Sequence, residues 1–372
     1  MHVQEHVPLR DLTTLKIGGT ARYFVSVATV EELADAVSFA RAQKLPLVIL
    51  GGGSNVLVAD GEIEAVVVKI DIRGIEWGYR GTDAEQEHAR PPKPQRRRGT
   101  NTELVVAGAG ENWDEIVAES VRRGLWGIEN LSGIPGTIGA APIQNIGAYG
   151  AEIKDVLEWV EVFDTTTGRT RKLPNADCCF AYRDSIFKHR DGQALLVARV
   201  ALRLSKDGAP NLTYADLSRC FTQSMFSNSV RPRTIAKPAL VAIRRAVLQI
   251  RGKKFPDLAQ FGTAGSFFKN PIIPKEQYDE LKEKYPDLPG FKLKVNSQKL
   301  MVKVPLAWIL DNICGLKGFR KGNVALFERQ PIVLVNLGGA SAADMQTFAA
   351  DILRQVKEKT GIDVEWEVQC IH

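Results

Sequence analysis

Between Ser132 and Gly150 the chain reads SGIPGTIGAAPIQNIGAYG, nineteen residues of which five are glycine and two proline. No helix or strand runs through such a stretch. Glycine spends more conformational entropy on ordering than any other residue, and proline removes a backbone donor. The stretch is also almost without charge, which is wrong for a solvated linker. It therefore reads as an ordered loop on which something lies close to the backbone.

A second element of the same kind precedes it. Leu47–Leu50 is a short apolar strand that breaks into Gly51-Gly52-Gly53-Ser54-Asn55 before Val56–Val58 resumes, a glycine turn between two strands. Three glycines alone are more often a plain turn. Placed after a buried strand, however, residues without Cβ let backbone N–H groups converge on an anion. The two elements together suggest a dinucleotide pyrophosphate held by two loops rather than by a helix N-terminus. The usual fingerprint is absent: Gly108-Ala109-Gly110-Glu111-Asn112-Trp113 has Trp113 where the third glycine belongs, and no GxxxxGK[ST] occurs. A nucleotide fold other than the Rossmann or P-loop type is needed.

Around these loops the periodicity is ordinary. Thr29 and Glu32 form a capping-box pattern ahead of an apolar-periodic run that ends before Pro46. A second helix starts at Asn112 and stops at Gly124. Strands are expected near Val156–Phe163 and Ala194–Leu204, and helices near Pro238–Ile250, Lys275–Tyr285, Pro305–Ile313 and Ala342–Lys359, the last with Ser341 and Asp344 as cap signals and Gly361 as its stop. No internal repeat is present. This is an α+β chain with mixed sheets. At roughly 100–200 residues per domain, 372 residues make two or three domains, with a cleft as the expected place for chemistry.

The net charge of +6 raises the question of nucleic acid, and the distribution weakens it. Six basic and three acidic residues between Tyr79 and Asn101 hold half of the excess. The segment Gly81–Thr100, with Pro91-Pro92-Lys93-Pro94 and Arg96-Arg97-Arg98, reads as a solvated surface insertion. Replacing it by a short turn should leave dinucleotide binding and activity nearly unchanged, and loss of the bound dinucleotide on deletion would contradict that reading. Five cysteines without CxxC spacing read as reduced thiols. No apolar leader or membrane span is found, and the scattered histidines suggest neither a metal site nor a triad. A cytoplasmic location, no metal, no nucleic acid and no membrane are expected.

The pattern resembles the UDP-N-acetylenolpyruvoylglucosamine reductase family. The resemblance runs from about Leu12 to the C-terminus outside Gly81–Thr100. It is carried by Leu12-Thr13-Thr14-Leu15-Lys16-Ile17-Gly18-Gly19, the GGGSN turn, the Ser132–Gly150 loop, Tyr182-Arg183-Asp184-Ser185, Ala264-Gly265-Ser266-Phe267-Phe268-Lys269-Asn270-Pro271, and Glu367-Val368. It implies a two-part FAD-binding domain of the vanillyl-alcohol-oxidase type and a C-terminal α/β substrate-binding domain. The implied bounds are 1–75 and 76–254 for the FAD subdomains, the second with the insertion 81–100 and completed by 361–372, and 255–360 for the substrate domain. One departure stands at Gln369, where the family usually has arginine.

The implied reaction passes a hydride from NADPH to FAD and then to the enolpyruvyl methylene carbon of UDP-N-acetylglucosamine enolpyruvate. Negative charge that develops on the adjacent carbon and its carboxylate needs a cation, and that adjacent carbon needs a proton. Arg183 suits the first task, because a guanidinium can hold a carboxylate bidentately. Ser266 is expected to donate the proton and Glu367 to assist it. Tyr214, Lys254 and Asn270, with Lys303 as a fourth, match positions that grip the uridine diphosphate. Gly51, Gly52, Gly53, Ser54 and Asn55 would meet the FAD phosphates, with Ser132, Pro135, Gly136, Gly139, Ala140, Ala141, Asn145 and Gly147 along pyrophosphate and ring. Three rivals stand beside this reading: a flavin oxidase on the same fold, a noncatalytic nucleotide-binding regulator, and a nucleic-acid binder resting on the basic insertion.

Overall fold

The computed structural model describes residues 1–78, 101–222, 237–295 and 299–372, so the basic insertion lies outside the described residues. The chain divides into two compact units, and the divisions fall inside the strands Val3–Pro8, Thr20–Val27 and Glu62–Ile70, after Gly52 in the glycine turn, and after Arg251 in the helix Lys237–Lys254. The first unit comprises Met1–Val3, Val25–Gly52 and Val66–Arg251; the second comprises Gln4–Phe24, Gly53–Ala65 and Gly252–His372.

In the first unit, Leu47–Leu50 pairs in parallel with the strand Glu62–Ile70, Leu47 opposite Val66 and Leu50 opposite Lys69. Helix α1, Val30–Gln43, turns its apolar residues Leu33, Ala36, Val37 and Ala40 inward. Its N-terminus realises half of the expected capping box. The Thr29 hydroxyl accepts from the Glu32 N–H, but the Glu32 carboxylate reaches past the cap to the Ala28 N–H at 2.7 Å. Five antiparallel strands lie side by side in the order Arg169–Pro174, Leu157–Asp164, Leu195–Ser205, Thr102–Gly108 and Ile75–Trp77. The central strand Leu195–Ser205 is nearly all apolar because it is covered on both faces.

Helix α2, Trp113–Arg123, is capped by the Asn112 side chain and ends at Gly124 in the left-handed conformation, as the sequence predicts. Helices α3, Ala215–Thr222, and α4, Lys237–Lys254, complete the unit. Leu217 of α3 and Leu240, Ile243 and Val247 of α4 pack in one cluster with Trp126 and Tyr149.

The second unit is built on one large apolar cluster that includes Phe267, Phe268, Leu306, Leu310, Phe348 and Val368. Its sheets are short: Ile272–Pro274, Lys299–Lys303 and Phe291–Val295 in that order, and Arg320–Lys321, Val324–Leu326 and Leu334–Asn336. Helix α5 spans Lys275–Lys284. Helix α6, Ala342–Thr360, carries both halves of the Ser341–Asp344 capping box and stops at Gly361. The Asp60 carboxylate adds hydrogen bonds to the Ala342 and Ala343 N–H groups, satisfying two donors that a helix start leaves open. The helix expected over Pro305–Ile313 is one α-turn, Leu306–Trp308, widened into a π-turn at Ile309–Ile313. The Cys314 N–H reaches Ile309 O and the Leu316 N–H reaches Leu310 O, so the chain overshoots the i→i−4 partner before Gly315 turns it away.

Candidate active site

In the first unit the glycine turn and the glycine-rich loop meet backbone to backbone. A Cβ on Gly52 would lie 2.7 Å from Gly136 Cα, and one on Gly139 would lie 2.4 Å from the Ala109 Cβ. Only glycine permits these approaches, so both segments present main chain rather than side chain. Gly51, Gly52 and Gly136 stay partly accessible and Pro135 is exposed, which leaves a cradle of bare peptide groups. That is the donor set a dinucleotide pyrophosphate requires, and these residues fit FAD.

The start of α2 straps the loop in place. Trp113 N donates to Gly136 O at 3.1 Å, Ile138 N to Glu111 O at 2.9 Å and Gly139 N to Ala109 O at 2.9 Å, while the Trp113 indole donates to Leu131 O at 3.0 Å. Ser132 and Asn145, both expected at the cofactor, are buried and hold the loop itself. The Ser132 hydroxyl donates to Glu129 O at 2.6 Å. The Asn145 amide donates to Glu152 Oε2 and Ala181 O, and its oxygen accepts from the Lys154 N–H. Ala140 and Ala141 sit on the turn that follows Gly139, and Ala141 is buried.

Arg183 comes to the far end of this loop. Its Nη2 donates to Gly147 O at 2.8 Å, and its backbone has a φ of 53°. A left-handed arginine is uncommon and marks a position held by its surroundings. The turn is closed by the Ala181–Asp184 pairing and by the buried Ser185, whose hydroxyl donates to Ile143 O at 2.6 Å. Tyr214 is exposed and meets the Tyr149 ring edge-on at 5.2 Å. Burial pushes the Tyr149 hydroxyl up to about 12, so it stays protonated and able to donate across the physiological range.

The second unit brings Ser266 and Glu367 onto neighbouring segments. Gly265, with a φ of 74°, turns the chain into Ser266, and its N–H is accepted by the Thr263 hydroxyl at 3.2 Å. Ser266 pairs with Val333, and the flanking Phe267 and Phe268 are fully buried. Glu367 N donates to Phe267 O at 2.9 Å, and the Glu367 side chain is itself buried. The final strand, Gln369–Ile371, runs parallel to Val56–Val58. Asn55 grips its entry: the Asn55 carbonyl accepts from Gln369 N at 3.0 Å, and the side-chain amide donates to Glu367 O at 3.2 Å. Asn55 is thereby bound to the strand that carries Glu367, a contact the motif alone did not foretell.

Of the residues expected at the uridine diphosphate, Lys254 is the last residue of α4 and Lys303 the last of its strand. Asn270 spends its side-chain oxygen on the Leu306 N–H at 2.9 Å. Sequence reasoning missed Thr14 and Thr263. Thr14 N donates to Gly53 O and its hydroxyl to Thr263 O at 2.7 Å, so the LTTLKIGG segment joins the glycine turn to the chain leading into Ser266. That segment was legible as a motif, but nothing in it marked Thr14 as a connector.

Two family models cover most of the chain, the FAD binding domain over residues 21–174 and the C-terminal domain of UDP-N-acetylenolpyruvoylglucosamine reductase over residues 257–371. A UDP-N-acetylenolpyruvoylglucosamine reductase of Ralstonia nicotianae is 38% identical, with 97% of each chain covered. The chain belongs to the UDP-N-acetylenolpyruvoylglucosamine reductase family. A second member, from Amoebophilus asiaticus, is 37% identical over the whole of both chains. The crystal structure of the reductase from Thermus caldophilus matches over 100% of both chains with a TM-score of 0.63 and 26% identity. As a family member the protein is an FAD-dependent oxidoreductase, α+β in class, with an FAD-binding domain ahead of a C-terminal family domain. No helix among the described residues is long and apolar enough to cross a membrane.

Proposed function

We propose that the protein reduces UDP-N-acetylglucosamine enolpyruvate to UDP-N-acetylmuramate with NADPH, a step of peptidoglycan synthesis, in the cytoplasm and on small molecules rather than on nucleic acid or membrane. The observation that carries this reading is the main-chain bond between Glu367 and Phe267, which sets a buried carboxyl beside the segment of Ser266 in a member of this reductase family. FAD, when bound, relays the hydride of NADPH to the enolpyruvyl carbon.

The chain's own residues do the rest. The cradle of Gly51, Gly52 and Gly136 offers peptide N–H groups to the pyrophosphate without side chains in the way, and Gly139 holds the loop beneath it through its bond to Ala109 O. Arg183, steadied by Gly147 O, offers its guanidinium to the substrate carboxylate, where negative charge grows. Ser266 holds the proton that the carbon adjacent to that carboxylate receives. Glu367 holds the serine's surroundings polar and is the next candidate donor. Tyr214, Lys254, Asn270 and Lys303 bind the nucleotide end, the first two from the domain 76–254 and the last two from the domain 255–360, with 1–75 as the other FAD subdomain.

Arg183→Lys should lower turnover roughly tenfold while leaving substrate affinity nearly unchanged, because an ammonium cannot reproduce a bidentate fork on developing charge. Steady-state kinetics check this, and an unchanged kcat would remove Arg183 from that role. The reading as a whole is tested anaerobically. Purified protein should be yellow, bleach with NADPH and regain its colour on addition of UDP-N-acetylglucosamine enolpyruvate. Recovery with oxygen alone would identify an oxidase, and a colourless protein that does not take up FAD would sink both readings.

A further inference from the structure

The Ser132–Gly150 loop is rich in glycine, so its free chain has many conformations to lose, and a cofactor that had to order it would bind weakly. The first unit contains a device that removes that cost. The Gly133 peptide is gripped at both edges: the Asp114 carboxylate accepts its N–H at 2.6 Å, and Arg251 Nε donates to its C=O at 3.0 Å. Arg244 holds Asp114 with a two-pronged fork at 2.6 and 2.8 Å. Tyr149, at the other end of the same loop, packs in one apolar cluster with Leu240, Ile243 and Val247 of α4.

Helix α4 supplies both arginines, seven residues apart on one face, and packs on bare backbone at Gly133. That residue has a φ of 71°, and a Cβ there would lie 2.8 Å from Leu248 Cδ2. Burial alone would raise the Asp114 carboxyl. The hydrogen bonds from Arg244 and the Gly133 N–H, with the charges of Arg244 and Arg251, outweigh it and hold the group below the usual carboxylate range.

We propose that Asp114, Arg244 and Arg251 are positioning residues that clasp the Ser132–Gly150 loop at Gly133 and hold it in its flavin-binding conformation before the cofactor arrives. The inference rests on the reading of that loop as an FAD cradle. It assigns a function to an ion pair that neither glycine motif contains, and it predicts an effect on cofactor capture rather than on chemistry.

FAD titration of the apoprotein tests it. Asp114→Asn should raise the FAD Kd at least tenfold, while kcat of the FAD-saturated enzyme stays within twofold of the parent. Backbone amides of the loop should exchange with deuterium faster in the variant apoprotein. Arg244→Gln should weaken FAD similarly, and the double variant should be no weaker than the worse single one, because the pair acts as a unit. A folded Asp114→Asn protein with unchanged FAD Kd overturns the proposal, whatever its melting temperature. Should that variant not fold, Arg244→Lys, which keeps the charge and loses the fork, is read by the same criterion. Gly136→Val separates the two ideas. If it loses FAD while Asp114→Asn retains it, the clasp is wrong and the cradle stands; if both retain FAD, the cradle itself is wrong.

Discussion

Ser266→Ala is expected to leave flavin reduction by NADPH intact and to slow reoxidation by the enolpyruvyl substrate about 10³-fold, within the roughly 10²–10⁴-fold that general acid catalysis supplies. A serine hydroxyl is a poor acid at its ordinary pKa, so the assignment needs support from its surroundings. The accepting carbon is itself strongly basic, and the departing alkoxide needs hydrogen-bond donors nearby. The structure shows how the residue is held. Thr263 fixes the Gly265 N–H, Ser266 pairs with Val333, and two buried phenylalanines follow. That leaves the backbone at Ser266 little freedom, and alanine preserves it. The loss should therefore fall on one half-reaction. Stopped-flow traces of the two halves decide the matter: equal slowing of both would mean a structural serine, and a near-normal second half would pass the proton to Glu367.

Gly52→Val should strip the protein of flavin. The added Cβ would meet Gly136 Cα at 2.7 Å and its carbonyl carbon at 3.2 Å, and both are backbone atoms that no rotamer change can move aside. The two glycine segments would have to part. Overpacking of this kind costs about 1–3 kcal/mol, which taken from cofactor binding weakens FAD roughly 5- to 150-fold, and valine's branches should bring the loss to the upper end. Absorbance of the purified protein, followed by FAD titration of the apoprotein, measures it. Retention of a full complement of flavin would show that the peptide groups of the turn do not meet the cofactor.

Local structure was legible wherever neighbouring residues decide it. Side-chain caps, glycine stops and the apolar stripes of α1, α2 and α6 depend on contacts within one or two turns, so Asn112, Gly124, Ser341, Asp344 and Gly361 marked their own positions. The exceptions were local too: Glu32 chose the Ala28 N–H over the cap residue, and the turn after Leu306 widened because its carbonyls found partners five or six residues on. The glycine segments were legible as close-packed loops, because an uncharged loop free of periodicity has to meet something that approaches its backbone, and Gly52 meets Gly136 in that way. What holds them was not. Asp114 lies 130 residues from Arg244 and 19 from Gly133, and Asn55 lies 312 residues from Glu367. A hydrogen bond at such separation leaves no periodic or compositional trace, because one carboxylate or amide on a surface face reads the same whether or not a distant segment folds back onto it. The sequence by itself determined which peptides must be bare and which helices must form; only the tertiary structure decided which side chains steady the bare peptides and which strand the last residues of the chain would join.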